Sequence, residues 1–165
     1  MTSAKVLVAE QDGVHVLKFV GDVRFTVGHA IDTFFNALIK GDDFRSVIID
    51  LTETVGIDST SLGLLAKISI QTKKIYDIVP TIISTNDDIT RILLSMGFDQ
   101  VFLIVKEPMD SSMELGELLI HNAPEHVVRE KVLEAHKVLM ELNKKNKLVF
   151  KDLVAALEHE RGLAS

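Results

Sequence analysis

The sequence of 165 residues contains no cysteine and no tryptophan, and it has only three prolines and one tyrosine. Without cysteine the chain has no disulfide and no thiolate chemistry, and it lacks the ligand that most structural zinc sites use. It also lacks any apolar run near the roughly 20 residues that a membrane-spanning helix needs. Its first five residues lack the basic and apolar regions of a signal peptide. We therefore expect a cytoplasmic protein without a membrane partner.

Positive charge is also scarce. The chain carries 18 basic and 24 acidic residues, a formal net charge of −6, whereas binding to nucleic acid requires clustered positive charge. The one basic cluster, residues 144–147, is short and is interrupted by Asn146. We predict no nucleic-acid partner. Hydrophobic residues make up 47% of the chain, which excludes a disordered protein and suffices for one sizeable core.

The hydrophobic pattern predicts strands that alternate with helices. Asp12-Gly13, a dipeptide typical of hairpin turns, separates the first two strands. Helices are predicted over residues 27–38, from the region of residues 59–61 onward, and from a cap at Thr85 or Asn86 to Gly97. The predicted strands cover residues 6–9, 14–20, 47–51, 79–84 and 101–105. Strands linked through helices become parallel neighbours, so we predict an α/β fold: a mixed sheet with an antiparallel first hairpin, otherwise parallel strands, covered by helices.

After residue 106 the pattern becomes purely helical. Residues 113–120 are predicted to form a helix, and Pro124 suits the first turn of the next one. That helix carries an apolar stripe of Val128, Val132, Ala135, Leu139 and Leu142, and after a turn at residues 143–147 a second, shorter helix carries Val149, Leu153, Ala156 and Leu157. We predict two domains, residues 1–120 and a C-terminal helical extension of residues 121–165. We expect its helical hairpin to pack on the first domain; the alternative is a surface for a partner or for dimerisation.

A cluster of polar residues follows the buried strand of residues 47–51. Asp58, Ser59, Thr60 and Ser61 stand where the helical spacing begins, so they occupy a strand-to-helix turn. A helix N-terminus has unpaired backbone N–H groups and partial positive charge, and it accommodates a capping side chain or a phosphoryl group. The local chemistry by itself favours capping.

The same cluster lies in a segment that resembles a known signature. Residues 57–63, Ile-Asp-Ser-Thr-Ser-Leu-Gly, are similar to the signature of the STAS family, the domain shared by bacterial anti-anti-sigma factors and the cytoplasmic ends of sulfate transporters. Residues 16–23, Val-Leu-Lys-Phe-Val-Gly-Asp-Val, resemble a second family feature, and the likeness covers roughly residues 4–120. It implies a STAS-like fold and phosphorylation of the first hydroxyl after Asp58, which is Ser59. Ser61 stands where the family usually has glycine, so Thr60 and Ser61 remain alternative acceptors.

The resemblance also implies a function. An anti-sigma factor antagonist acts by partner switching: the unphosphorylated form binds an anti-sigma factor or a histidine-kinase-like serine kinase and so releases a sigma factor. A metal-dependent serine phosphatase restores binding after phosphorylation. The partner surface is expected to include Asp22, Asp58, Ser59, Thr60, Ser61 and Leu62, and the protein is expected to be a monomer or dimer. Two alternatives stay open, an oligomeric STAS scaffold subunit of a signalling assembly and a small-ligand-binding regulatory domain.

Signatures of enzymes are absent from the sequence. It has no Walker loop, no dinucleotide-binding glycine fingerprint and no Gly-x-Ser-x-Gly elbow. A triad of Ser59, a histidine and Asp58 is disfavoured, because an aspartate next to the serine does not usually orient the histidine. Each of the six histidines is interpreted as a surface or half-buried structural residue: His15, His29, His121, His126, His136 and His159. Asp22, Asp50 and Asp58 are interpreted as turn and capping residues, and we expect no catalytic activity, metal or cofactor.

Overall fold

Seven strands form one mixed sheet in the computed structural model, which describes residues 4–109 and 113–164. The strands are β1 (Lys5–Gln11), β2 (Val14–Val23), β3 (Ser46–Asp50), β4 (Thr54–Ile57), β5 (Thr81–Ile83), β6 (Leu103–Val105) and β7 (Gly116–Leu118). Their order in the sheet is β6-β5-β3-β2-β1-β7. The β1–β2 pair is antiparallel, whereas β2, β3, β5 and β6 are parallel neighbours. The predicted α/β fold is confirmed.

The first hairpin turns where the sequence predicts it. Asp12 and Gly13 both have positive φ angles, 53° and 85°, which suit the right-handed twist of the two strands. Backbone pairing then runs from Gln11 opposite Val14 to Lys5 opposite Val20. The turn therefore sets the register of the sheet's central strand.

Strand β2 is ten residues long and pairs with two different strands along the same edge. Its first half pairs with β3, and after a register shift between Gly21 and Asp22 its end pairs with β4. Gly21 has a φ of 89°, which only glycine adopts readily. This irregularity brings β4 beside the end of β2, and the chain leaves β4 directly into Asp58 and the next helix.

Five α-helices accompany the sheet in the part of the chain that the structure describes. They are α1 (Gly28–Ile39), α2 (Ser59–Tyr76), α3 (Asp87–Ser95), α4 (Glu125–Leu142) and α5 (Lys144–Ala164). The Asn86 side chain caps α3 by accepting from the N–H groups of Asp88 and Ile89, as the sequence predicts. Apolar side chains of α1, α2 and α3 pack on the sheet with Phe19, Ile49 and Ile82 at the centre of the core.

The prediction of a helix over residues 113–120 is wrong. The prediction that the strand at residues 101–105 is the last one is also wrong, because a further strand follows it. Residues 116–118 form β7, which pairs antiparallel with β1 from Val6 opposite Leu118 to Val8 opposite Gly116. The physical reason is the open edge of β1, whose unpaired backbone groups bind an extended segment. The helical spacing of apolar residues in a short segment contains no information about an unpaired strand elsewhere in the chain.

The second helix of the extension also differs from its prediction. We expected a turn over residues 143–147 and a shorter helix, but α5 begins at Lys144 and its 21 residues exceed the 18 of α4. Asn143 alone makes the connection, and its side-chain oxygen accepts from the N–H of Asn146 at 2.7 Å. On α5 Phe150 and Val154 are buried, whereas Val149 and Leu153 of the predicted stripe are 59% and 41% exposed. The expected helical hairpin itself is confirmed, and α4 packs along α2.

Candidate functional site

Asp58 fixes the start of α2. Its Oδ1 accepts from the N–H of Ser61 at 2.8 Å, and its Oδ2 accepts from the N–H of Phe25 at 2.7 Å. Its own N–H donates to the carbonyl of Val23 at the end of β2. One carboxylate therefore caps α2 and ties it to the loop before α1. The capping predicted from the sequence is confirmed, with Asp58 as the capping residue.

Asp22 lies on the same side of the sheet, near the solvent. Its Oδ2 accepts from Nε and Nη2 of Arg24, both at 2.9 Å, and its side chain is 43% exposed. A Cβ on Gly56 would approach Asp22 Oδ1 to 2.7 Å, so a larger residue there would displace the Asp22 carboxylate. Asp22 and Asp58 thus frame a polar, partly exposed rim at the end of β2 and β4.

Ser59 is the first residue of α2, and its hydroxyl is engaged. Ser59 Oγ lies 2.8 Å from Nε2 of His136 on α4. The other ring nitrogen, Nδ1, lies 2.7 Å from the carbonyl oxygen of Val132, which can only accept. Nδ1 therefore donates, and in the neutral ring Nε2 accepts the proton of Ser59. His136 is 3% exposed, and its ring also meets Phe150 edge-on at 5.0 Å.

The other predicted site residues lie deeper than Ser59. Thr60 and Ser61 are 6% and 3% exposed, and Leu62 is 1% exposed and belongs to the core. Ser59 is half-buried, so it is the most accessible of the three hydroxyl residues. Leu62 packs in the core and leaves almost no surface exposed for a partner.

A family model described as the STAS domain matches residues 5–114, more than half of the chain. The chain belongs to the STAS domain family. The matched segment contains the sheet from β1 to β6 with α1, α2 and α3, and it ends before α4. Among curated proteins no significant match is found.

A solved structure has a similar architecture. The fold is similar to the crystal structure of an anti-sigma factor antagonist from Mycobacterium paratuberculosis, with a TM-score of 0.54 and 22% sequence identity. The match covers 64% of this chain and 87% of that chain. At this identity the likeness concerns the fold alone. Among the described residues, none of the helices combines the length and apolar character that crossing a membrane demands.

Helix α4 lies directly against α2 of the STAS domain. At Gly63, one turn after Ser59, an added Cβ would come within 2.2 Å of the carbonyl oxygen of Ala135 and 2.6 Å of its Cβ. Only glycine on α2 and a small residue on α4 allow the two backbones to approach so closely. The glycine of the family signature therefore has a packing role in this chain.

One turn further along α2, charged side chains around the buried Asp32 join three helices. Lys67 Nζ lies 2.9 Å from Asp32 Oδ1 on α1 and 2.7 Å from Glu134 Oε1 on α4. Lys131 of α4 also bonds Asp32, whose side chain is 8% exposed. Burial acts to raise the pKa of Asp32, but the hydrogen bonds from Lys131 and Lys67 outweigh it and lower that pKa. Burial acts likewise to lower the pKa of Lys67, and its bonds to Glu134 and Asp32 raise it above its ordinary value.

His136 is the residue that the sequence analysis missed. The interpretation of every histidine as a surface or half-buried residue is wrong for His136, although His121, His126 and His159 are exposed. A signal was present, because His136 lies beside Ala135 and four residues after Val132 in the apolar stripe. Asp50 accepts from the N–H of Thr52 in a turn, as expected. Within residues 4–109 and 113–164, no three acidic or histidine side chains are grouped to suit a metal ion.

Proposed function

We propose that this STAS protein is a phosphorylation-controlled anti-sigma factor antagonist that acts by partner switching. The observation that supports it is the placement of Ser59, a half-buried hydroxyl at the first residue of α2 beside the capping carboxylate of Asp58. The position is the phosphoacceptor of the family signature, and the solved structure of similar fold bears the name anti-sigma factor antagonist. In the unphosphorylated state the protein binds an anti-sigma factor or a histidine-kinase-like serine kinase and thereby releases a sigma factor.

The physics of the switch is electrostatic and steric. A phosphoryl group adds about −1.5 to −2 charges and three hydrated oxygens at Ser59. Asp58 and Asp22 place further negative charge near this rim. Burying the phosphate against a partner without a matching cation costs several kcal/mol, and about 1.4 kcal/mol is already tenfold in affinity. A metal-dependent serine phosphatase would reverse the modification.

The test of the site is phosphorylation by the cognate kinase with ATP, followed by intact-mass measurement. Ser59→Ala should take up no phosphate and should keep binding the anti-sigma factor in the presence of the kinase. Thr33→Ala, at an exposed position of α1, is the matched control and should be phosphorylated like the native chain. If Ser59→Ala is phosphorylated stoichiometrically, Ser59 is the wrong residue and Thr60 or Ser61 takes its place.

A second candidate function, an oligomeric STAS scaffold subunit, is favoured by one observation. The outer face of α5 exposes large apolar side chains: Leu148, Val149, Leu153 and Leu163. Apolar side chains gathered on one helix are typical of association surfaces. Light scattering of the purified chain separates the two functions, because a large particle supports the scaffold and a monomer or dimer supports the antagonist.

A further inference from the structure

The face of α2 that carries Ser59 is already occupied in this chain. Ser59, Gly63 and Lys67 follow one another at intervals of four residues, so they form a single row along α2. Each of the three meets α4, at His136, at Ala135 and at Glu134 respectively. The proposed phosphoacceptor Ser59 therefore contacts a helix of the same chain, whereas Asp22 and Asp58 remain on the partly exposed rim.

The two ends of the helical hairpin are held by different kinds of contact. Near the Asn143 connection the contacts are mainly apolar and deep, because Leu139, Leu142 and Phe150 join the main core. In residues 125–136 of α4, the contacts with α1 and α2 include hydrogen bonds, ion pairs and one glycine–alanine approach, and the apolar Val128 and Val132 are only half-buried. Polar contacts can be exchanged for water at much lower cost than buried apolar area. The half of α4 over Ser59 is thus the part that can leave first.

We propose that the α1–α2 face is a helix-binding surface, that α4 occupies it in the closed state, and that the partner protein displaces α4 with a helix of similar chemistry. That helix would place a small residue against Gly63, because the backbone there leaves no room for a side chain. It would place a basic residue against Asp32, which keeps only its bond to Lys67 of α2 once Lys131 has left. The identity of the partner rests on the proposed function, whereas the exchange of one helix for another does not.

The closed state also controls access to Ser59. Ser59 Oγ is hydrogen-bonded to His136 Nε2 at 2.8 Å, so a phosphoryl group on Ser59 would have to break this contact with α4. Opening must precede both phosphorylation and partner binding. The apparent affinity of any ligand for this surface is then its intrinsic affinity reduced by the open fraction. The extension therefore sets the threshold at which the switch responds.

The experiment is the binding of a fluorescein-labelled synthetic peptide, residues 124–142 of this chain, to the full-length protein. In the native protein α4 competes for the surface, so the peptide should bind weakly. Lys131→Glu replaces the cation that bonds Asp32 by an anion and should open the surface. Peptide affinity should then rise by about tenfold or more. Lys147→Glu makes the same change of charge at an exposed position of α5 and should leave the affinity unchanged. Equal peptide affinity in all three proteins overturns the proposal.

Hydrogen exchange of the native full-length chain gives an answer even if Lys131→Glu fails to fold. The amides of residues 125–136 should exchange through an opening of lower free energy than those of β3 and of residues 139–142. If residues 125–136 exchange only together with β3, α4 is a permanent part of the fold and the proposal is wrong. Neither measurement involves a kinase. If Ser59 is not phosphorylated but the peptide binds as expected, the proposed function alone is refuted. If Ser59 is phosphorylated but the peptide does not bind as expected, this inference alone is refuted.

Discussion

The Ser59 hydroxyl is hydrogen-bonded to a histidine that lies 77 residues further along the chain. The ring of His136 is held on its other side by the carbonyl of Val132, so its orientation is set within α4 itself. Asp58 is held in the same way, with both carboxylate oxygens bound to backbone N–H groups. At the scale of residues the site is therefore a pair, a serine at the capped N-terminus of α2 and an oriented histidine ring on α4.

Removing the acceptor tests this pair. His136→Ala loses the bond to Ser59 and the ring contact with Phe150, so the free energy of unfolding should fall by about 1–3 kcal/mol. His121→Ala, at an exposed position, is the control and should have no such effect. Urea unfolding followed by circular dichroism measures both. A change below about 0.5 kcal/mol in His136→Ala would mean that the bond contributes nothing to docking α4.

At the scale of elements, α2 is shared between two sets of neighbours. Leu62 and Leu65 belong to the core with the sheet, while Ser59, Gly63 and Lys67 face α4. Because both sides are covered, its hydrophobic pattern is less one-sided than that of α3, which has solvent on one side. The contact with α4 relies on close backbone approach and on charge, and each can be changed by one substitution.

Gly63→Ala tests the close approach of α2 and α4. Alanine is favoured over glycine in a helix interior by about 1 kcal/mol, but its Cβ would come within 2.2 Å of the Ala135 carbonyl oxygen. This steric clash should outweigh the helix preference of alanine and lower the free energy of unfolding by about 1–3 kcal/mol. Gly162→Ala on α5 is the matched control, because a Cβ there meets no atom within 4 Å and stability should stay or rise slightly. Equal effects of the two substitutions in urea unfolding would refute the close contact.

The buried ion pairs predict how stability depends on pH. The pKa of Asp32 is lower in the folded than in the unfolded chain. Its contribution is therefore complete above the ordinary value of 3.8 and is lost as the pH falls below that value through the folded pKa. The difference in unfolding free energy between the native chain and Asp32→Asn should shrink as the pH falls from 5 to about 2. The exposed Asp42→Asn is the control. A difference that is constant over this range would contradict the assignment.

At the scale of the whole molecule, the STAS domain and the extension share a core. We propose a boundary between the domain and the extension near residue 120. Nevertheless, Leu139, Leu142 and Phe150 of the extension pack with residues of the α/β part. The Asn146 side chain donates to the carbonyls of Met96 and Leu139, both at 2.9 Å, and so joins the hairpin to the end of α3. The extension is therefore both a structural support and a cover for the site.

Truncation after His121 tests this double role. The shortened chain loses Leu139, Leu142 and Phe150 from the core and exposes α2, which should cost several kcal/mol of stability. Since each kcal/mol shifts the melting temperature by roughly 2–4 °C, the thermal transition should fall by about 10 °C or more. A chain truncated after Arg161 is the control, since Gly162 and Leu163 are exposed. Differential scanning calorimetry compares the three proteins. An unchanged transition after His121 would show that the hairpin neither supports nor covers the domain.

The sequence by itself determined the elements whose causes are local. The Asp12-Gly13 turn, the Asn86 cap and the start of α2 at the Asp58 cluster follow from backbone conformation and short-range hydrogen bonds, which depend on neighbouring residues. The STAS resemblance and the α/β order followed from these same local patterns. The helical hairpin was also predicted, because its apolar stripe repeats at helical spacing.

Only the tertiary structure decided what depends on distant partners. Strand β7 forms because β1 offers an open edge, and Phe150 of α5 is buried because it joins Leu139 and Leu142 in the core. His136 meets Ser59 because α4 returns across α2 at the glycine of the signature. Such contacts join residues far apart in the chain, and their energies arise from burial and geometry that no local pattern contains. For this reason the sequence could predict Ser59 as the phosphoacceptor, whereas only the fold revealed its contact with His136 of α4.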